Sequence, residues 1–125
     1  MSESITIILP LPPKQMHPNK RCHWRAKMQP KKKQRMDAYL AALAAIKELG
    51  RHPEWPAAEV ITTWYLARQN DRDNLVSWGK ATWGGLADAL RCNDSGFVHW
   101  PPHQICGKDA KGERKLVIVI RKRNA

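Results

Sequence analysis

Glu59-Val60-Ile61-Thr62-Thr63-Trp64-Tyr65-Leu66-Ala67, followed by Arg68-Gln69-Asn70-Asp71-Arg72-Asp73-Asn74-Leu75, is the stretch that decides how this chain folds. Its first half is β-branched and aromatic, which predicts a strand over Glu59 to Ala67. Val60, Thr62, Trp64 and Leu66 share one face, and Ile61, Thr63, Tyr65 and Ala67 share the other. Both faces are half apolar, so the strand belongs in the middle of a sheet. Arg68 to Asn70 leave the strand, and the spacing then predicts a helix from about Asp73 to Leu90. At helical periodicity Leu75, Trp78, Thr82, Leu86 and Ala89 gather on one side, with Asp73, Ser77, Lys80 and Gly84 opposite. Gly79, Gly84 and Gly85 each weaken that helix by about 1 kcal/mol relative to alanine. Either it bends there, or something approaches its backbone closely.

Toward the N-terminus, Ile5-Thr6-Ile7-Ile8-Leu9 reads as a strand closed by Pro10, Pro12 and Pro13. Lys14 to Lys33 reads as a basic, proline-punctuated loop in which His17, His23 and Trp24 are interleaved with cations, a composition suited to phosphate contact with some stacking. A helix is expected over about Lys31 to Leu49, with Met36, Tyr39, Leu40, Leu43 and Ile46 as its core stripe and Gly50 as its stop. Arg51 to Pro56 connects it to the central strand.

Toward the C-terminus, Cys92-Asn93-Asp94-Ser95-Gly96 has turn chemistry. Phe97 to Trp100 is a short strand broken by Pro101-Pro102, His103 to Cys106 resumes it, and Lys115 to Ile120 forms the last strand after a loop over Gly107 to Gly112. The expectation is one α+β domain over residues 1–125, a mixed sheet with two main helices in the order β-α-β-α-β-β, without internal repeats.

Charge narrows the function. Among 125 residues, 22 Lys and Arg face 11 Asp and Glu, a formal net charge of +11. Such a domain attracts polyanions, because neutralising phosphates releases condensed counterions. Nucleic acid fits better than anionic lipid, since no segment combines a long apolar face with a basic one. No apolar run approaches the roughly 18 residues needed to span a bilayer, and Met1-Ser2-Glu3-Ser4 lacks the basic start of a signal peptide. Three cysteines without a CxxC pair argue against a disulfide framework and for a reducing, cytoplasmic setting.

Three carboxylates carry the candidate chemistry: Asp71, Asp73 and Asp94. The first two are two residues apart just after a strand, where extended backbone points both side chains the same way. Asp94 lies in the turn before the next strand, and the fold is expected to bring it to the same sheet edge. Clustered carboxylates suit a hard cation such as Mg²⁺, which in a phosphodiesterase activates water and stabilises charge on the phosphate. Lys80, on the same helix face as Asp73, is placed to contact the phosphate. The structural alternatives are that Asp73 caps a helix and that Asp94 makes a turn. An EF-hand is excluded, because its sixth position would be Val76 and its twelfth Thr82. Cys92, His99, His103 and Cys106 are zinc-ligand types within fifteen residues and form a competing constellation, although their intervals match no standard finger. There is no P-loop, no glycine-rich dinucleotide loop and no local Cys-His motif.

Several segments, taken in order, resemble the RusA-type Holliday junction resolvases, particularly phage and prophage versions. Ile5 through Pro13 looks like that family's opening strand and proline turn, and His17-Pro18-Asn19 through His23-Trp24 like the loop that follows. Asn70-Asp71-Arg72-Asp73-Asn74-Leu75 resembles its central D-x-D-N-L motif. Lys80 and Gly85 to Leu90 are similar to the helix after it, and Asn93-Asp94 with Phe97-Val98 to its acidic turn and strand. The resemblance covers nearly the whole chain. It implies a homodimer that cleaves branched DNA with Mg²⁺, or Mn²⁺ as substitute, with Asp71, Asp73 and Asp94 binding the metal and a helix lysine assisting. The chain departs from the pattern at Ser77, where the best-known form has its lysine, and at Asn93, where an aspartate is common. Lys31, Lys32, Lys33, Arg68 and Arg72 are the candidate DNA-backbone contacts. The alternative is a non-catalytic basic DNA-binding protein with a zinc clip.

Overall fold

A computed structural model describes residues 3–55 and 57–123; Met1 and Ser2 of the opening segment and Pro56 at the end of the connector lie outside the described residues. The architecture is α+β, a five-stranded mixed sheet with three helices. The elements are β1 (Ser4–Pro10), α1 (Trp24–Leu49), β2 (Ala58–Leu66), α2 (Arg72–Trp78), α3 (Lys80–Leu90), β3 (Phe97–His99), β4 (His103–Cys106) and β5 (Lys115–Lys122). The sheet runs β1-β5-β2-β3, with β4 also paired to β2. β5 is antiparallel to both β1 and β2, whereas β3 and β4 run parallel to β2. β3 and β4 together occupy one strand position, interrupted where Pro101 and Pro102 withhold their backbone donors. β2 is thus interior, as its two-faced pattern predicts.

Strict alternation turns Ile5, Ile7 and Leu9 of β1, Val60, Thr62, Trp64 and Leu66 of β2, and Leu116, Ile118 and Ile120 of β5 onto one face. The helices cover that face. The other face stays open, with Ile8, Val98 and Trp100 exposed and Ile61, Val117 and Val119 half-buried.

α1 differs from expectation in two ways. It begins at Trp24 rather than about Lys31, so residues 24–30 are helical rather than loop, with Pro30 inside the helix. His23 caps the start by accepting a hydrogen bond from Arg25 N at 3.2 Å. Pro30 cannot donate to the Ala26 carbonyl, but Ala26 is exposed, which leaves that acceptor open to solvent. The core face also differs. Gln34, Ala38, Ala42 and Ile46 are buried, whereas Met36, Leu40 and Leu43 of the expected stripe are exposed. The cause is close approach to α3: a Cβ on Gly85 would stand 2.2 Å from the Arg35 carbonyl oxygen and 3.0 Å from the Ala38 Cβ. Only small side chains fit between helices that near, so alanines occupy the contact and the larger residues face outward.

The helix expected over Asp73 to Leu90 is two helices, broken at Gly79. The Trp83 indole lies where a Gly79 Cβ would be, at 2.4 Å, and donates Nε1–H to the Val76 carbonyl at 2.9 Å. Gln34 fills the break from α1, donating to the Trp78 carbonyl at 2.9 Å and to Thr82 Oγ1 at 3.0 Å. The expected apolar side, Leu75, Trp78, Thr82, Leu86 and Ala89, is buried throughout. Arg35 and Asp88 join α1 to α3 through two hydrogen bonds of 2.9 and 3.0 Å, but both side chains are about half exposed, and such a pair stabilises by about 1 kcal/mol at most. Packing carries this contact.

Candidate functional site

The segment carrying Asp71 and Asp73 leaves the C-terminal end of β2 and is held from two sides. Gln104 of β4 accepts from Asn70 N at 2.9 Å and donates Nε2–H to the Asn70 carbonyl at 2.9 Å. The register explains the reach, since Gln104 stands opposite Trp64, on the same face and just short of the strand end. On the other side, His17 Nε2 lies 3.0 Å from Asn70 Oδ1, and its ring meets Trp78 edge-on with centroids 5.0 Å apart. Trp78 in turn stacks on Trp64 at 5.7 Å and donates Nε1–H to the Pro13 carbonyl at 2.9 Å. The loop after β1, the end of β2 and the start of α2 are therefore one connected unit.

Asp71 takes the N-cap position of α2, yet its side chain makes no capping hydrogen bond. Asp73 lies in the first helical turn. Both are exposed, and among the described residues neither joins an ion pair. A carboxylate held rigidly at its backbone and unspent at its oxygens is what a hard cation needs, and Mg²⁺ commonly takes only one or two carboxylates while keeping several waters. Because α2 begins at Arg72, Asp71 is extended but Asp73 is already helical, so the extended run expected to turn both side chains the same way is not present; each carboxylate is nonetheless unspent and of the type such an ion takes. Arg72, between the two aspartates, and Arg68, just before Asn70, are exposed, as is Lys80 at the start of α3.

Asp94 is elsewhere. The chain crosses back along α2 and α3, so Asp94 lies just before β3, whose Phe97 is level with Ala58 at the opposite end of β2. β2 has nine residues, a length of roughly 26 Å at the usual rise of a strand. The expected meeting of three carboxylates at one sheet edge does not occur within one chain. Among the described residues, no group of three or more His, Cys, Asp or Glu is arranged to hold a metal ion. That applies equally to Cys92, His99, His103 and Cys106: His99 is level with Val60 and Cys106 with Leu66, and the three cysteines are free and half-buried.

The surroundings of Asp94 are nonetheless electrostatically linked. Burial pushes the Cys92 thiol up, and the Asp94 charge adds to it. Burial lowers His99, opposed by Asp94. Arg35 is raised chiefly by its hydrogen bond to Asp88, with Asp94 contributing. Asn93 Oδ1 accepts from Ser95 N at 3.0 Å, which accounts for the turn locally.

Lys31, Lys32 and Lys33 are exposed on α1, and Lys33 pairs with Asp37 at 2.7 Å. Consecutive helical positions fan out by 100° each, so the three cannot follow one phosphate strand together. His17 and Gln104 were not singled out as positioning groups by sequence; their bonds to Asn70 span 53 and 34 residues. No family model matches the chain, and no curated protein is significantly similar to it.

Proposed function

We propose that this protein is a Mg²⁺-dependent, structure-selective DNA endonuclease that resolves four-way junctions, the activity implied by its resemblance to the RusA-type resolvases. The observation that carries the reading is the Asp71–Asp73 pair, clamped through Asn70 and, among the described residues, without cationic partners, on a chain of net charge +11. Acidic groups left unpaired in so basic a protein suit a divalent ion better than a purely structural role.

When bound, the ion supplies activation of the attacking water and neutralisation of charge on the phosphate oxygens. Asp71 and Asp73 hold it. Arg68 and Arg72 bind the flanking phosphates, and Lys80 stabilises charge on the cleaved phosphodiester or its leaving oxygen. Lys31 and Lys32 reach DNA farther from the cut. The His17 and Gln104 bonds keep the pair in place.

A homodimer suits paired incisions on a roughly two-fold junction. The open sheet face supports it: Ile8, Val117, Val119 and Ile61 form an apolar centre, beside which Arg121 pairs with Glu59 at 2.6 Å. If Asp94 also holds metal, a second copy has to bring it. Mixing Asp73→Asn with Asp94→Asn chains then restores cleavage, whereas a set completed within each chain gives none. No helix among the described residues is long and apolar enough to cross a membrane, and the cytoplasm is the compartment where free thiols and this substrate meet.

The reading is tested by gel assay of a synthetic four-way junction with Mg²⁺, using the wild type and Asp73→Asn. Cleavage lost in the variant supports it; tight binding without cleavage by the wild type leaves a non-catalytic DNA-binding protein.

A further inference from the structure

Beside the Asp71–Asp73 segment lies a cleft of about 610 Å³. Leu11, Pro12, Pro13, Leu66 and Trp78 make its walls, and Lys14, Arg68 and Arg114 stand around it. The polar groups of His17 and Asn70 that border it are already turned on each other, 3.0 Å apart, so the interior offers mainly apolar surface. Beyond His17 and Trp78 a second hollow of about 320 Å³ continues past Lys14 to Lys20. The two share Lys14, His17 and Trp78 as lining and so are adjacent, with cations beside both.

An apolar slot bordered by cations suits a flat, weakly polar body attached to anions. A nucleobase on its sugar-phosphate chain has that chemistry, and clefts of this size lie within the usual range for ligand sites. A paired base inside a duplex cannot enter, because its faces are covered by its neighbours and its edge by its partner. The base has to leave the stack, which costs least where pairing is already interrupted.

We propose that this cleft receives an unstacked nucleobase of DNA, with its flanking phosphates on Lys14, Arg68 and Arg114. The proposal rests on the DNA-binding part of the function above but not on cleavage. Asn70 borders the cleft and immediately precedes Asp71, so a strand anchored there passes the acidic pair. Selection of branched over continuous duplex then follows from the availability of an unstacked base near the branch.

Binding is measured in EDTA, so that cleavage plays no part. The probes are a duplex with one extrahelical base, the same duplex with an abasic residue at that position, and the fully paired duplex. The extrahelical position also carries a fluorescent adenine analogue. The expected result is about tenfold tighter binding of the extrahelical base than of its abasic counterpart, with a change in fluorescence on binding. Ala67→Phe, at an exposed position lining the cleft, fills the slot. It abolishes both effects while leaving affinity for paired duplex unchanged. Equal affinity for base and abasic probes, or a fluorescence change that persists in Ala67→Phe, overturns the proposal. Base selectivity that survives in a protein unable to cut any junction with Mg²⁺ upholds the cleft and refutes the nuclease reading; no affinity for any of the three DNAs, in a protein that still cuts a four-way junction with Mg²⁺, refutes the cleft and leaves the nuclease reading standing.

Discussion

Replacing Gln104 with leucine removes both bonds that fix the Asn70 backbone while keeping a side chain of similar size on β4. Each bond is 2.9 Å long, and a hydrogen bond of this kind contributes about 0.5–1.5 kcal/mol net. Asn70 is only half-buried, so water recovers part of the loss, leaving about 1–2 kcal/mol against the held conformation. A difference of 1.4 kcal/mol is about tenfold in population, and Asp71 follows directly on the freed residue. Gln104→Leu is therefore expected to lower junction cleavage about tenfold at saturating DNA while leaving junction affinity within about twofold of wild type. Amide hydrogen exchange followed by NMR reads the cause independently of activity: protection of the Asn70 N–H falls, while that of β2 amides paired to β5 does not. Unchanged Asn70 protection would refute the clamp. Lost protection with full cleavage would refute its role in positioning the acidic pair.

Three further outcomes follow from particular contacts. Gly85→Ala places a Cβ 2.2 Å from a backbone oxygen of α1, so the helices must separate. Urea unfolding should show a loss of about 1–3 kcal/mol despite the gain in helix propensity, and a stabilised variant would contradict the close packing. His99 has its pKa lowered from the ordinary 6.5 by burial, so the folded protein disfavours its charged form. The stabilisation from neutral His99 is complete above pH 6.5 and is lost as pH falls through the lower folded value. His99→Phe, which keeps a ring against Trp83, should flatten the thermal stability profile on that acid side, and an unaltered profile would count against the assignment. Arg68→Ala and Arg72→Ala should each reduce the slope of log affinity against log salt by about 0.9 if each arginine neutralises one DNA phosphate; an unchanged slope removes that arginine from the interface.

The fold was legible where side-chain period and burial agree. Alternation in Ile5 to Leu9 and Lys115 to Ile120, and the two-sided pattern of Val60 to Leu66, led to the observed strands and to an interior β2. In α1 the local signals mislead. Pro30 and the lysines suggest a loop, but an exposed carbonyl tolerates the proline, and the larger apolar residues yield the core face to alanines because α3 brings glycines against it. The break at Gly79 depends on where the Trp83 indole packs, which no helical period records. At the site, the Asp71–Asp73 pair was visible as a motif at a strand end. Its clamp was not, because His17 and Gln104 reach it across the fold. Asp94 looked like a third member because sequence order hides direction. The helical crossover returns the chain to the start of β2 rather than to its end.

The account stands most directly on strand cleavage of a four-way junction, measured together with junction affinity, for the wild type, Asp71→Asn and Asp73→Asn. The prediction is Mg²⁺-dependent cuts by the wild type, abolished by EDTA, and loss of cutting in both variants with junction binding retained. Wild-type protein that binds the junction tightly but leaves every strand intact in Mg²⁺ and in Mn²⁺, or variants that cut as fast as wild type, would contradict it.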